Sequence, residues 1–267
     1  MNPTPDVVAG NRREKITVEA IRAMKARGQK IPALTAYDYP TTRILDEAGV
    51  PLLLVGDSLG MVVLGYPDTT HVTMDEMEHH VRAAARAKPR GLLAADLPFR
   101  AYDTVEMALA NAGRLVAAGA EAVKAEGGVE IQDQVRAIVG AGIPFIGHLG
   151  MLPQHVLEEG GYHVKGKIEP EKQKLFADAR ALVAAGAFCI VLELVTGPVA
   201  RELTAALPVP TIGIGSGRHC DGQILVTPDL IGMFPWVTLK HVQPKVNAAE
   251  QIRAGVQDWI KDLQTRG

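Results

Sequence analysis

The sequence has few cysteines, no long hydrophobic run and almost no net charge. Its two cysteines, Cys189 and Cys220, are too few for a disulfide framework and favour a reducing compartment. No apolar run approaches the ~20 residues that a bilayer-spanning helix needs. The polar first residues also lack the apolar stretch of a secretion signal. The sequence therefore predicts a cytoplasmic protein without a membrane partner.

Charge of either sign is balanced along the chain. The 267 residues carry 28 Lys and Arg against 30 Asp and Glu, a formal net charge of −2. This balance lacks the basic surface of a nucleic-acid-binding protein, so we expect no nucleic-acid partner. We predict one domain over residues 1–267, with residues 1–16 as a flexible N-terminal segment, because no linker or low-complexity stretch interrupts the chain.

Short apolar runs rich in Val, Ile and Leu alternate with amphipathic helical patterns. The runs occupy residues 31–36, 51–56, 91–96, 121–126, 143–148, 188–193, 209–214 and 235–241. They lack polar alternation, which is typical of strands buried on both faces of a parallel sheet. A glycine ends several of the intervening helical patterns, as at Gly119 and Gly186. Thr73 and Glu76 are spaced as a capping box that opens another helix.

Eight strand candidates in 267 residues give about 33 residues for each strand–helix unit, which predicts a (β/α)8 TIM barrel. Residues 17–28 form an additional N-terminal helical pattern, which we expect to cover the bottom of the barrel. A doubly wound open sheet is the alternative, although no GxGxxG motif follows the first strand. Near the C-terminus, one helical face collects the apolar residues Ile252, Val256, Trp259, Ile260 and Leu263.

Ionisable residues end five of the predicted strands, where a barrel places its active site. They are Asp57, Asp96, Glu126, His148 and Glu193. Four carboxylates in one mouth raise one another's pKa unless something compensates. One compensation is a divalent cation, and oxygen ligands favour Mg²⁺ or Mn²⁺. Another is Lys124, since strand alternation directs Lys124 and Glu126 to one face and Ala125 to the other.

Each of these residues also has a purely structural interpretation. Asp57 can cap the following helix, and Lys124 with Glu126 can form a structural salt bridge. His148 can be a hydrogen-bonded strand-end histidine. The glycine-rich loop 213–217 follows the seventh strand, where many barrels bind phosphate, but a tight turn without a ligand explains it equally well.

The order of several motifs identifies a family resemblance over residues 17–230. The motifs are MKARGQKIPALTAYDYP (24–40), VGDSLG (55–60), ADLPF (95–99), KAEGG (124–128), GHLGMLPQ (147–154), GGYHVKGK (160–167) and GIGSG…CDGQILV (213–226). In this combination they resemble the ketopantoate hydroxymethyltransferase family. The resemblance implies a (β/α)8 barrel related to the phosphoenolpyruvate mutase and isocitrate lyase group, assembled as a homodecamer.

The resemblance also implies an activity. Members transfer a hydroxymethyl group from the co-substrate 5,10-methylenetetrahydrofolate to 3-methyl-2-oxobutanoate. The product is 2-dehydropantoate, on the route to pantothenate and coenzyme A. The reaction passes through an enolate stabilised by the cofactor Mg²⁺.

Site residues follow from the matching motifs. The resemblance implies that Asp57, Asp96 and Glu126 surround Mg²⁺, directly or through water. Glu193 is the implied proton acceptor. The keto acid is bound by the two aspartates together with Ser58, Lys124 and His148.

The chain departs from the family pattern outside these residues. Ala125, His163 and Ser216 replace commoner residues, and residues 65–73 differ modestly. The segment 240–250 is less typical, which puts folate or subunit contacts there in doubt. Three rival functions stay open: another keto-acid enzyme of the same superfamily, such as a carboxylyase or a phosphonate-forming mutase; a Schiff-base aldolase using Lys124; and a non-catalytic barrel that binds a small acid.

Overall fold

Eight parallel strands close into a barrel in the computed structural model, which describes residues 14–236 and 242–265. The strands are β1 (Ile31–Thr35), β2 (Leu52–Val55), β3 (Leu92–Asp96), β4 (Ala122–Glu126), β5 (Phe145–Gly150), β6 (Cys189–Glu193), β7 (Thr211–Ile214) and β8 (Gly222–Leu225). Each strand pairs with its sequence neighbours, and β8 pairs with β1. The predicted (β/α)8 TIM barrel is confirmed.

Helices lie between and around the strands of the barrel. In the described chain they are α1 (Val18–Ala26), α2 (Tyr39–Glu47), α3 (Leu59–Val62), α4 (Met74–Ala85), α5 (Val105–Ala118), α6 (Gln132–Gly140), α7 (Val156–Glu159), α8 (Glu169–Ala185), α9 (Gly197–Ala206), α10 (Thr227–Leu230) and α11 (Ala248–Thr265). Short 3-10 turns cover Thr69–His71, Val129–Ile131 and Pro153–His155.

Strand residues alternate between two buried apolar layers. One layer fills the barrel interior, and Ile21 and Met24 of α1 pack into it beside Ile31 at the start of β1. This packing confirms the predicted additional N-terminal helix. The second layer lies between the strands and the surrounding helices and includes Ala125. Ala125 therefore faces away from the interior, as strand alternation predicts.

Local signals in the sequence set several helix boundaries. Thr73 and Glu76 form the predicted capping box, in which the Glu76 carboxylate accepts a 2.8 Å hydrogen bond from the Thr73 N–H. The box satisfies two N–H groups at the start of α4. Gly119 and Gly186 end α5 and α8 with φ of +116° and +106°. Glycine adopts this left-handed conformation without the steric cost that a Cβ imposes.

The eighth strand differs from its prediction. Residues 235–241 were the expected strand, but β8 is Gly222–Leu225. Pro235 and Trp236 form a turn, and residues 237–241 lie outside the described residues. The β8 sequence alternates buried and more exposed positions, so it lacks the continuous apolar run of a strand covered on both faces. Gly222 is required there, because a Cβ would lie 2.2 Å from the carbonyl oxygen of Ile31.

The two ends of the described chain differ in how they contact the barrel. At the N-terminal end, Lys15 Nζ donates to the Gly91 carbonyl at 2.8 Å, whereas most of the predicted flexible segment 1–16 lies outside the described residues. At the other end, none of the residues of α11 is buried. The apolar face of α11 is 42–62% exposed at Ile252, Val256, Trp259, Ile260 and Leu263. Within the described chain, no helix has both the length and the apolarity to cross a membrane.

Candidate active site

The carboxyl ends of the strands bring the predicted ionisable residues together. Asp96, Glu126 and Glu193 are the last residues of β3, β4 and β6. Two predicted strand ends shift: β2 stops two residues before Asp57, and β5 continues two residues beyond His148. The shifts leave the residues at the same mouth, since Asp57 N–H donates to Asp96 Oδ2 at 3.1 Å.

Lys124 lies at the centre of the cluster. Its Nζ is 2.8 Å from Asp96 Oδ1 and 3.1 Å from His148 Nδ1. The ion pair thus joins neighbouring strands β3 and β4, in place of the Lys124–Glu126 salt bridge considered from the sequence. Burial alone would lower the pKa of Lys124, but the negative charges of Asp96, Asp57 and Glu126 outweigh it and raise this pKa. Lys124 is therefore a buried ammonium ion.

His148 connects Lys124 to Glu193. A lysine ammonium can only donate, so His148 Nδ1 accepts from Lys124 and the ring proton is on Nε2. His148 Nε2 lies 3.3 Å from Glu193 Oε2, without the alignment of a hydrogen bond. Burial, reinforced by the positive charge of Lys124, holds the pKa of His148 well below its usual value. The imidazole is therefore neutral.

Asp57 contacts β3 and the turn after β5 instead of capping a helix. Its Oδ2 accepts a 2.7 Å hydrogen bond from Gln154 Nε2. The N-cap of the following helix α3 is Ser58, whose hydroxyl is 2.8 Å from the hydroxyl of Tyr37. Burial, together with the negative charge of Asp96, raises the pKa of Asp57 to about 7. The helix-cap interpretation of Asp57 is wrong.

Glu126 is held from one side only. Its Oε2 accepts a 3.0 Å hydrogen bond from the backbone N–H of Gln154. Its Oε1 is buried and has no hydrogen-bond partner among the described residues. Burial and the negative charge of Asp57 raise the pKa of Glu126 well above its usual value. A cation placed beside Oε1 would relieve both costs.

The backbone around Glu193 is tightly packed. Gly150 has φ of +102°, and a Cβ there would lie 2.1 Å from the Glu193 carbonyl oxygen. The same carbonyl accepts a 2.8 Å hydrogen bond from the Met151 N–H. In the glycine-rich loop, Ser216 Oγ accepts from the Val195 N–H at 2.9 Å and lies 2.7 Å from the Leu192 carbonyl. Ser216 therefore ties the loop to the turn that carries Glu193.

Comparison with known proteins identifies the family of the chain. The family model described as ketopantoate hydroxymethyltransferase matches residues 15–267. The chain is 53% identical to the 3-methyl-2-oxobutanoate hydroxymethyltransferase of Moorella thermoacetica, over 94% of each chain. The chain belongs to the ketopantoate hydroxymethyltransferase family. The family resemblance of the motifs is thereby confirmed.

Solved structures share the fold of this family member at low sequence identity. A phosphonomutase, described as putative, from Burkholderia cenocepacia matches with a TM-score of 0.66 and 18% identity, over 90% of this chain and 99% of that chain. A phosphonopyruvate hydrolase in complex with oxalate and Mg²⁺ matches with a TM-score of 0.60 and 15% identity, over 93% and 98%. These neighbours show that the barrel fold is shared.

The donor atoms of the candidate site in this ketopantoate hydroxymethyltransferase family member suit a magnesium ion. Glu126 Oε1 is a buried carboxylate oxygen without a hydrogen-bond partner among the described residues, and Asp96 Oδ1 is paired with Lys124 at 2.8 Å. No three His, Cys, Asp or Glu side chains of residues 14–236 and 242–265 form a group that could hold an ion by themselves. Mg²⁺ usually keeps several waters and takes only one or two carboxylates, so partial ligation fits this ion.

Sequence reasoning missed two residues of the site, Gln154 and Tyr102. Gln154 is 2% exposed and bonds to Asp57 and Glu126 from the 3-10 turn after β5. Tyr102 donates to Gln154 Oε1 at 2.6 Å. The one sequence signal for Gln154 was its place at the end of the motif GHLGMLPQ. A glutamine that follows a proline does not by itself indicate a binding or catalytic role, so the residue was missed.

Proposed function

We propose that the chain transfers a hydroxymethyl group from 5,10-methylenetetrahydrofolate to 3-methyl-2-oxobutanoate, forming 2-dehydropantoate for pantothenate and coenzyme A synthesis. The observation that carries this proposal is the buried cluster in which Lys124 lies between Asp96 and His148, with Glu193 beside it. The cluster offers a positive charge for a carboxylate substrate and a carboxylate base 3.3 Å from His148.

Lys124 and Ser58 are the proposed anchors for the keto acid. The raised pKa of Lys124 keeps its amine protonated, which suits ion pairing with a substrate carboxylate. A Schiff-base aldolase needs a neutral lysine amine, so the same charge argues against that rival. Ser58, held by Tyr37 at 2.8 Å, supplies a hydroxyl whose orientation is restricted. Fixing the substrate in one orientation lowers the entropic barrier to reaction.

Asp57, Asp96 and Glu126 are the residues that would hold Mg²⁺, with waters completing its coordination. When bound there, the ion supplies a Lewis acid that polarises the 2-oxo group of the substrate. The fold neighbour solved in complex with oxalate and Mg²⁺ supports this proposal, since oxalate, like a 2-oxo acid, carries a carboxylate next to a second carbon–oxygen group.

Glu193 is the proposed proton acceptor. Its side chain is 15% exposed, so it reaches the open side of the mouth while its backbone is fixed by Met151. The neighbouring His148 is neutral and has its proton on Nε2, which leaves the carboxylate as the base. Loss of the C3 proton gives an enolate carbon, which forms a C–C bond with the folate methylene carbon as one of the two methylene–nitrogen bonds breaks. Water then replaces the second nitrogen, which supplies the hydroxyl group of the product and releases tetrahydrofolate.

Deuterium exchange at C3 of 3-methyl-2-oxobutanoate tests the proposal. We expect the methine proton signal to disappear in D₂O when Mg²⁺ is present, and to persist with chelator or with Glu193→Gln. Glu106→Gln, a replacement at an exposed position of α5, is the matched control and should exchange normally. If neither exchange nor product appears after methylenetetrahydrofolate is added, the assignment is wrong.

We further propose that the protein is a homo-oligomer, with a decamer expected from the family. The exposed apolar face of α11 supports this, because contiguous apolar residues of this kind commonly mark an interface and a second copy of the chain would bury them. Light scattering after size-exclusion chromatography should give a multiple of the chain mass. Trp259→Asp should reduce that mass, whereas Gln257→Asp on the opposite side of α11 should not. A monomeric wild type would overturn the proposal.

A further inference from the structure

Gln154 connects three strands of the barrel from within the mouth. It lies in the 3-10 turn Pro153–His155 after β5 and is 2% exposed. Its backbone N–H donates to Glu126 Oε2 at 3.0 Å, and its side-chain Nε2 donates to Asp57 Oδ2 at 2.7 Å. One residue therefore fixes the carboxylates that follow β2 and end β4.

The orientation of the Gln154 amide is determined by its neighbours. Nε2 donates to Asp57 Oδ2 and to the Leu97 carbonyl, at 2.7 Å and 3.0 Å. The Leu97 carbonyl and the ionised Asp57 carboxylate accept only, so a flipped amide would place Oε1 against two acceptors. Oε1 instead accepts from the Tyr102 hydroxyl at 2.6 Å. Both amide protons and the amide oxygen are used, which leaves a buried amide with a single orientation.

The three carboxylates share a pattern that this amide helps to create. A protein N–H holds one oxygen of each: Gln154 Nε2 holds Asp57, Gln154 N holds Glu126, and the Asp57 N–H holds Asp96 at 3.1 Å. The second oxygen of Asp96 is 2.8 Å from Lys124 Nζ, whereas the second oxygen of Glu126 has no hydrogen-bond partner among the described residues. Holding one oxygen directs the other, so the hydrogen bonds set where ligand oxygens point.

We propose that Gln154, oriented by Tyr102, is a positioning residue that sets the carboxylates of Asp57 and Glu126 for a divalent cation. This inference rests on the proposed function, because it assigns the residue to the magnesium site of that reaction. Gln154 acts through the carboxylates and not on the reacting atoms.

Gln154→Met is the sharpest perturbation, because a methionine side chain nearly matches the shape of glutamine but has no N–H donor. It removes the hydrogen bond to Asp57 and keeps the backbone hydrogen bond to Glu126. Removal of a group that orients metal ligands typically weakens metal binding by about 10–100-fold. We expect that loss for Mn²⁺ measured by electron paramagnetic resonance, with 3-methyl-2-oxobutanoate present. Tyr102→Phe leaves the amide in place but removes its orienting hydroxyl, so a smaller loss is expected.

Gln132→Met is the matched control. Its side-chain amide donates to the Ala181 carbonyl at 3.1 Å on the outside of the barrel, so Mn²⁺ affinity should be unchanged. Thermal unfolding of each variant separates a structural role from a positioning role. A lowered melting temperature with wild-type Mn²⁺ affinity in Gln154→Met and Tyr102→Phe would overturn the inference and leave the proposed function intact.

Mn²⁺ binding by the wild-type protein tests the metal assignment itself, separately from the role of Gln154. Failure of wild-type protein to bind Mn²⁺ with the keto acid present would overturn both. If Gln154→Met does not fold, Tyr102→Phe decides the question by itself: unchanged affinity refutes the inference, and weakened affinity in a variant with wild-type unfolding temperature supports it.

Discussion

Replacement of Asp57 by Asn is expected to stabilise the protein when no divalent cation is bound. Asp57 is buried beside Asp96, and these two causes raise its pKa to about 7 from an ordinary value of 3.8. A carboxyl group whose pKa is raised by folding binds protons more tightly in the folded state. Its ionised form therefore destabilises the fold, increasingly so as pH rises from about 4 to about 7.

The size of the effect follows from the shift in pKa. A rise of about 3 units, at about 1.36 kcal/mol per unit, corresponds to about 4 kcal/mol of destabilisation at pH 8. At pH 5 most of the folded protein has Asp57 protonated, and the cost falls below about 2 kcal/mol. Asn carries no charge and can still accept from Gln154 Nε2 through its own oxygen, so it removes this cost and retains the hydrogen bond.

Urea unfolding in the presence of chelator at pH 8 and pH 5 measures the difference. Asp57→Asn should exceed the wild type in unfolding free energy at pH 8, by a margin that shrinks at pH 5. Asp258→Asn, the same replacement on exposed α11, should change neither value. Saturating Mg²⁺ should stabilise the wild type more than Asp57→Asn, since the variant loses one of three ligands. A variant no more stable than the wild type at pH 8 without metal would refute the reasoning.

Three further substitutions test the backbone that supports the site. Gly150→Ala should lower the unfolding free energy by at least about 2 kcal/mol and abolish C3 exchange, because its Cβ meets the Glu193 carbonyl; normal exchange would contradict this. Ser216→Ala leaves the Val195 N–H unpaired and should cost about 1–3 kcal/mol in urea unfolding; an unchanged midpoint would show that another group replaces the hydroxyl. Thr73→Ala removes an N-cap and should cost about 1 kcal/mol without altering exchange; slower exchange would link α4 to the site.

Most of the barrel could be predicted because its strands are buried on both faces. Runs such as residues 188–193 are apolar throughout, and the structure has Cys189–Glu193 as β6. The strand prediction failed at β8, because β8 is not buried on both faces. In β8, Gln223 is exposed on the outer side, and Gly222 is needed for contact with Ile31, so the segment resembles a turn.

The candidate site was predictable to the extent that strand ends determine it. Asp96 and Glu126 end parallel strands, and parallel strands bring their carboxyl ends to one edge. The partners within the site were not predictable in the same way. Lys124 pairs with Asp96 because the register of β3 and β4 sets them side by side, and no local pattern in either strand encodes that register.

The charge of the cluster separates a structural role from a functional one. A buried salt bridge such as Lys124–Asp96 can be neutral overall, since each charge compensates the other. Asp57 and Glu126 add two carboxylates to this pair without a second buried lysine or arginine in the described chain, and both have raised pKa values. A cluster that served stability alone would be better built from apolar residues of similar volume. The excess of negative charge therefore fits a site that completes its balance with a cation.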